Sequence, residues 1–264
     1  MGVRQAYIHG TAPTEQERLS GLNRLTNAPF LEFLQLLGDE RVLEVGSGLG
    51  ILAAEVGERL PDGEVVGVEF SGDQIAAAES NTQRNVRFVQ GDAHILPFEE
   101  SSFDLVYCRY VLEHVADPVQ VLREMRRVLR PDGRALAQEN NILINEFYPP
   151  CPAFDAIWRK FAELQSRLGG DALIGKKLFQ YFKEAGFGAI ELSIQPEIHW
   201  SGLATFKPWV INLIGNVESG RRSLVEHGLA TDGEIDNAIR EAEALMDRED
   251  SAALFYWNRA SAVK

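Results

Sequence analysis

Cysteine is scarce in this 264-residue chain. It has two, Cys108 and Cys151, too few for a disulfide framework, and this points to a reducing, cytoplasmic setting. Long apolar runs are also missing, and none approaches the roughly 20 residues that span a bilayer. Met1-Gly2-Val3-Arg4-Gln5-Ala6 lacks the apolar core of a signal peptide and the Ser or Thr of a myristoylation signal. Positive charge is short: 26 Lys and Arg face 39 Asp and Glu, a net charge of −13. Such a surface repels phosphate backbones and anionic headgroups, which argues against nucleic acid and membrane as partners. No Cys/His cluster has zinc spacing, so no metal is expected. What remains is ordinary for a globular protein, with 45% hydrophobic and 25% charged residues, and the length suits one large domain with helical additions.

Along the chain, Thr14-Glu15-Gln16-Glu17 has the form of a capping box. The leucines from Leu19 to Leu37 then predict two helical pieces, interrupted near Pro29 and stopped at Gly38. From residue 41 the pattern becomes strand–helix alternation. Strands are expected at 41–46, 64–70, 86–90, 103–108, 134–138 and 189–195, with a closing strand at 252–263. Helices are expected at 49–60, 73–83, 118–129 and 173–185, an irregular connection over 140–170, and mostly helix over 200–248. Strand–helix alternation is the signature of right-handed βαβ units on a parallel sheet. The domain reading is an N-terminal helical arm over 1–38, a core over 39–198 and 252–264, and a helical insertion over 199–251.

Glu44-Val45-Gly46-Ser47-Gly48-Leu49-Gly50 lies between the first strand and its helix. Glycines there let the backbone turn sharply and approach a ligand, and the helix beyond presents oriented N–H groups. The dinucleotide fingerprint would need glycine at 51, where Ile51 stands, so a pyrophosphate cradle is disfavoured. The second strand ends in Glu69, about 20 residues beyond the loop, where a carboxylate suits a ribose diol. The third ends in Gly91-Asp92-Ala93, and Asp92 suits an adenine amino group. The fourth ends in Tyr107-Cys108-Arg109-Tyr110. Polar groups from successive strands thus reach one sheet edge and describe a nucleoside pocket.

The sequence resembles the class I S-adenosylmethionine-dependent methyltransferases, in particular the group related to the ubiquinone/menaquinone C-methyltransferases and many small-molecule methyltransferases. The stretches that carry this are Val42–Gly50, Gly67–Phe70, Gly91–Ala93 with Leu96–Phe98, Ser102–Val106, Leu112–Val115 and Val128–Gly133, in family order over about 100 residues. The resemblance implies a doubly wound, Rossmann-like, seven-stranded, mostly parallel sheet with an antiparallel closing strand. It also implies S-adenosyl-L-methionine as cofactor. By that resemblance Gly46, Ser47, Gly48 and Gly50 lie against the methionine part, Glu69 holds the ribose, Phe70 flanks the adenine, and Asp92 and Ala93 bind it. The backbone near Arg109 lies by the methionyl end, and Tyr7 and Arg18 in the N-terminal arm reach the cofactor's carboxylate. Many members have Leu-His-His where this chain has Leu112-Glu113-His114.

Methyl transfer needs positioning first, and a base only where the nucleophile holds its proton firmly. The candidate bases are His114 after the fourth strand, Glu139 at the end of the fifth, and His199 at the start of the helical insertion. The expected substrate is a small organic molecule, with aromatics among the options, methylated on O, N or C. Two other readings stay open: a non-catalytic adenosylmethionine-binding protein and a nicotinamide-dependent oxidoreductase. Arg123, Arg126, Arg127 and Arg130 share one helix side, which reads as a solvated face.

Overall fold

A computed structural model describes residues 13–264, with side chains from Gln16 onward. In chain order the elements are α1 (Pro13–Leu34), β1 (Arg41–Val45), α2 (Ile51–Gly57), β2 (Glu64–Glu69), α3 (Gly72–Ala78), β3 (Val86–Gln90), β4 (Phe103–Arg109), α4 (Pro118–Val128) and β5 (Leu129–Glu139). Then follow β6 (Glu146–Tyr148), α5 (Pro152–Arg167), α6 (Leu178–Glu184), β7 (Gly188–Trp200), α7 (Phe206–Glu226), α8 (Asp232–Leu245) and β8 (Ala252–Val263). The chain divides into two compact units.

The larger unit comprises residues 26–139, 174–194 and 258–264. Its strands run β3-β2-β1-β4-β5-β8. The pairs from β3 to β5 are parallel and β8 closes antiparallel on β5, with Arg134 opposite Val263 and Glu139 opposite Asn258. β7 pairs with β8. The strands are nearly continuous apolar runs (Val42, Leu43, Val45; Val65, Val66, Val68) because both faces are covered. Phe30, Leu34, Leu52, Val56 and Tyr107 build one layer. Val106, Leu122, Met125, Leu178 and Phe182 build the other.

The smaller unit comprises residues 13–25, 140–173 and 195–257. Helices α5, α7 and α8 pack together. Phe154, Trp158 and Phe161 stack in sequence along α5, and Gly220 on α7 allows close approach to the Phe161 ring. β6 pairs antiparallel with residues 252–254 of β8, which makes the strand count eight where the sequence predicts seven.

Several local expectations change. α1 is one helix through Pro29, not two pieces. Proline removes a single hydrogen bond there, and burial of Phe30, Leu31 and Leu34 outweighs it. It ends at Leu34, short of Gly38. The region 140–170 is not irregular: Pro152 opens α5 at its first turn instead of breaking it. Asp132 has positive φ inside a register shift between β4 and β5. The capping box present among the described side chains is at Thr231 and Glu234, opening α8. Residues 140–173 belong to the same compact unit as α7 and α8.

Candidate active site

The loop after β1 is bonded to β2. Gly46 and Ser47 donate their N–H groups to the Val68 carbonyl at 2.8 and 3.0 Å, and Gly50 donates to the Ser47 carbonyl at 2.8 Å. Gly48 donates to Glu69 Oε2 at 3.1 Å. Gly46, Gly48 and Gly50 all have positive φ. At Gly46 (φ 74°) a Cβ would also collide with Val111 Cγ2, whereas at Gly48 it would meet only Gln74 Oε1, the end of a flexible side chain, at 3.3 Å. Gly46→Ala is therefore expected to lower the urea midpoint more than Gly48→Ala, with about 1–2 kcal/mol lost to the left-handed backbone in each and the Val111 collision added only at Gly46. Equal losses would show that the approach of Val111 is not what demands glycine there.

Glu69 ends β2 beside this loop. Its Oε1 accepts from Ser71 N–H at 2.9 Å, and Ser71 caps α3 by accepting from Gln74 N–H. A carboxylate oxygen has two lone pairs, so both oxygens keep acceptor capacity for a diol. Phe70 is 70% exposed, placed to cover a flat ring from one side. Asp92 Oδ1 accepts from the His94 backbone N–H and lies 2.8 Å from His94 Nδ1. Partial burial opposes ionisation of Asp92, but these contacts outweigh it and hold its carboxyl below the usual value. Ala93 is half-buried beside it.

Arg109 ends β4. It donates to Asn27 Oδ1 at 2.7 Å and to Thr26 Oγ1 at 3.4 Å, and lies over the Phe30 and Tyr110 rings. Asn27 passes the link on to Glu55 Oε1 at 2.7 Å. Near Arg109, Glu44 is buried, and its Oε2 has no hydrogen-bond partner among the described residues. Burial pushes its carboxyl up to about 8, with Glu69 adding to the rise and Arg109 opposing it. The sequence signal for Glu44 is one charge within an apolar strand, and the sequence reading assigns it no role.

Of the proposed bases, Glu139 is fully buried. Its Oε1 accepts from Val111 and Leu112 N–H, both at 3.0 Å, and Cys108 Sγ lies 3.9 Å away. Burial, then the nearby Glu113 carboxylate, pushes it up to about 8. The same carboxyl straps the loop after β4 through these two hydrogen bonds, a structural duty beside the proposed role of base. His114 is half-buried, its Nε2 3.8 Å from Glu113 Oε1. Cys108 is buried as expected.

In the smaller unit His199 Nδ1 lies 2.9 Å from Thr205 Oγ1 and Nε2 lies 3.4 Å from Glu197 Oε2, and its ring stacks on Trp209. Arg18 donates to Asn212 Oδ1 at 2.8 Å and its stem lies against Gly215, both on α7. Sequence reading offers no sign of that pairing, since the partners are 194 residues apart. Tyr7 lies outside the described residues. These arginines are not simply solvated: Arg127 on α4 donates to the Leu96 and Phe98 carbonyls and pairs with Glu124, and Arg130, which lies in β5, pairs with Asp104. The side they were read as sharing, with Arg123 and Arg126, is that of the helix before it. Among the described residues no His, Cys, Asp and Glu group is arranged to hold a metal, and no helix is long and apolar enough to cross a membrane.

Residues 43–137 match the family model described as a methyltransferase domain. An uncharacterized methyltransferase of Bacillus subtilis, YcgJ, is 31% identical over 176 residues, 65% of this chain and 64% of its own length. A demethylmenaquinone methyltransferase of Deinococcus radiodurans is 38% identical over 134 residues, 49% of this chain and 53% of its own length. The chain thus spans between about half and two thirds of these curated relatives. The crystal structure of YcgJ superposes with a TM-score of 0.60 at 21% identity, covering 90% of this chain and 97% of that one.

Proposed function

We propose that this chain, whose residues 43–137 match a methyltransferase domain, is a class I S-adenosylmethionine-dependent methyltransferase that transfers the cofactor's methyl group to O, N or C of a small organic molecule. The observation that carries this is the glycine loop strapped to Glu69 at the carboxyl edge of β1 and β2, where open α/β sheets bind ligands. The loop's own N–H groups support the choice of cofactor. Those of Gly46, Ser47, Gly48 and Gly50 are bonded within the protein, so they offer a pyrophosphate few donors, while a sulfonium needs none. This weighs against the nicotinamide reading, as does Ile51.

The residues present fit the group. Gly46, Ser47, Gly48 and Gly50 would face its methionyl part, with the Arg109 backbone at the far end. Glu69 would take the ribose diol through its remaining lone pairs. Phe70 and Ala93 would flank the adenine and Asp92 would accept from its amino group. The cofactor supplies an already activated methyl, so the chain's own work is alignment and exclusion of water, which alone supplies much of a rate. Val111 and Leu112, held by Glu139, keep the β4 exit fixed beside the loop. His114 is the proposed base where the acceptor's proton is hard to lose, with Glu139 second.

Calorimetric titration with S-adenosylmethionine, S-adenosylhomocysteine and NADH tests this reading. Binding of the first two and not the third is expected, followed by labelled-methyl transfer in a panel of quinols, phenols and amines that begins with demethylmenaquinone. Cofactor binding with no turnover on any extract would favour a non-catalytic binding protein, and NADH binding would revive the oxidoreductase.

A further inference from the structure

Asp92 is held unevenly. Its Oδ1 has both the His94 backbone N–H and the His94 ring Nδ1 at 2.8 Å, while Oδ2 has no partner among the described residues. The ring is fixed at its other end too: Asp117 N–H points at Nε2 at 3.4 Å. Since that backbone group can only donate, Nε2 accepts and the proton sits on Nδ1, directed at Asp92. The His94 carbonyl accepts from Gln120 Nε2 at 3.1 Å, and Asp117 caps α4 through Gln120 N–H. His94 thus ties the loop after β3 to the first turn of α4. The neighbouring charges are the Asp92 and Asp117 carboxylates, and further along the loop Glu124, which accepts from Leu96 N–H and pairs with Arg127.

We propose that His94 is a positioning residue for the adenine end of the cofactor, locking the Asp92 carboxylate so that Oδ2 faces the adenine amino group, and that protonation of its ring weakens that grip. This rests on the reading of Asp92 as the adenine acceptor. The physical reason lies in the two ring nitrogens. A second proton goes to Nε2, where it meets the Asp117 N–H donor and ends that contact. The ring also becomes a cation beside Asp92 and reduces its pull on an amino hydrogen. Asp92 itself stays ionised over the range in which imidazoles titrate, since the His94 contacts outweigh its partial burial. Affinity is therefore expected to fall as pH drops from about 7.5 to about 5.5.

The test uses the full chain and 5′-methylthioadenosine, which carries adenine and ribose without a titrating amino acid, with S-adenosylhomocysteine in parallel at pH 7.5. The wild type is expected to lose about two- to tenfold in affinity for the thioadenosine across that range, the scale of one hydrogen bond. His94→Asn, which can donate to Asp92 but cannot titrate in this range, should show near wild-type affinity at pH 7.5 and a flat profile. His94→Ala should be weaker by a similar factor at every pH. A flat wild-type profile, a pH dependence that survives in His94→Asn, or a His94→Ala that melts earlier yet binds equally well would each overturn the proposal. Failure of the wild type to bind either nucleoside would instead overturn the cofactor reading beneath it.

Discussion

Glu69→Ala is expected to weaken S-adenosylmethionine binding by about a hundredfold to ten-thousandfold. Two charge-assisted hydrogen bonds to a ribose diol are worth about 1.5–3 kcal/mol each, and each 1.4 kcal/mol is a factor of ten. The side chain has a second duty that makes alanine harsher than a lost ligand contact. Its two oxygens accept from Gly48 and Ser71, so the variant also releases the glycine loop from the end of β2. Glu69→Gln separates the two effects. It retains one carbonyl acceptor but loses the charge, and should fall between wild type and alanine. The check is calorimetry at fixed salt alongside a thermal melt. An unchanged dissociation constant for Glu69→Ala would remove the ribose from this position, whatever the melt showed.

The second large effect concerns Glu139 and appears in stability rather than binding. Its carboxyl titrates near 4.5 in the unfolded chain and is pushed up to about 8 in the fold, by burial first and by Glu113 second. A raised folded value means that the fold favours the protonated form. That contribution is fully present below about pH 4.5 and is lost as pH rises through about 8, at about 1.4 kcal/mol for each pH unit between. Glu44, pushed up to about 8 chiefly by burial, acts in the same direction. The protein without cofactor should therefore lose stability from pH 5 toward pH 8.

Glu139→Gln should reduce that loss. The amide oxygen still accepts from Val111 and Leu112, the amide nitrogen can donate toward Glu113, and nothing remains to ionise. The gap between variant and wild type should widen with pH and approach about 5 kcal/mol as an upper value at pH 8. Urea midpoints at three pH values, with constant m, measure it. A gap that does not change with pH would mean that Glu139 is ionised in the fold across this range.

These two glutamates show where sequence reading succeeds and where it stops. Glu69 is legible because its setting is local: an apolar strand ends, a glycine loop precedes it by one βα unit, and sheet topology then places the carboxylate. Glu139 looked equally placed, at the end of another strand on the same edge. Its role was decided by Val111 and Leu112, whose N–H groups reach it from 28 and 27 residues away. Arg18 and Arg109 follow the same rule. Nothing near either in sequence names its partner, and each donates to an asparagine far along the chain, Asn212 and Asn27.

The sequence by itself determined the strand–helix alternation, the glycine turn, the missing third glycine of a pyrophosphate loop and the acidic ends of β2 and β3. Each depends on side-chain period and turn chemistry within about ten residues. Tertiary structure alone decided that α1 runs through Pro29, that Pro152 starts a helix, and that Glu44 and Glu139 are buried, which raises the pKa of each. Those outcomes depend on what packs against a residue. Burial of Phe30 and Leu34 outweighs one missing hydrogen bond, and exclusion of water sets a carboxyl's charge more strongly than its chemistry does.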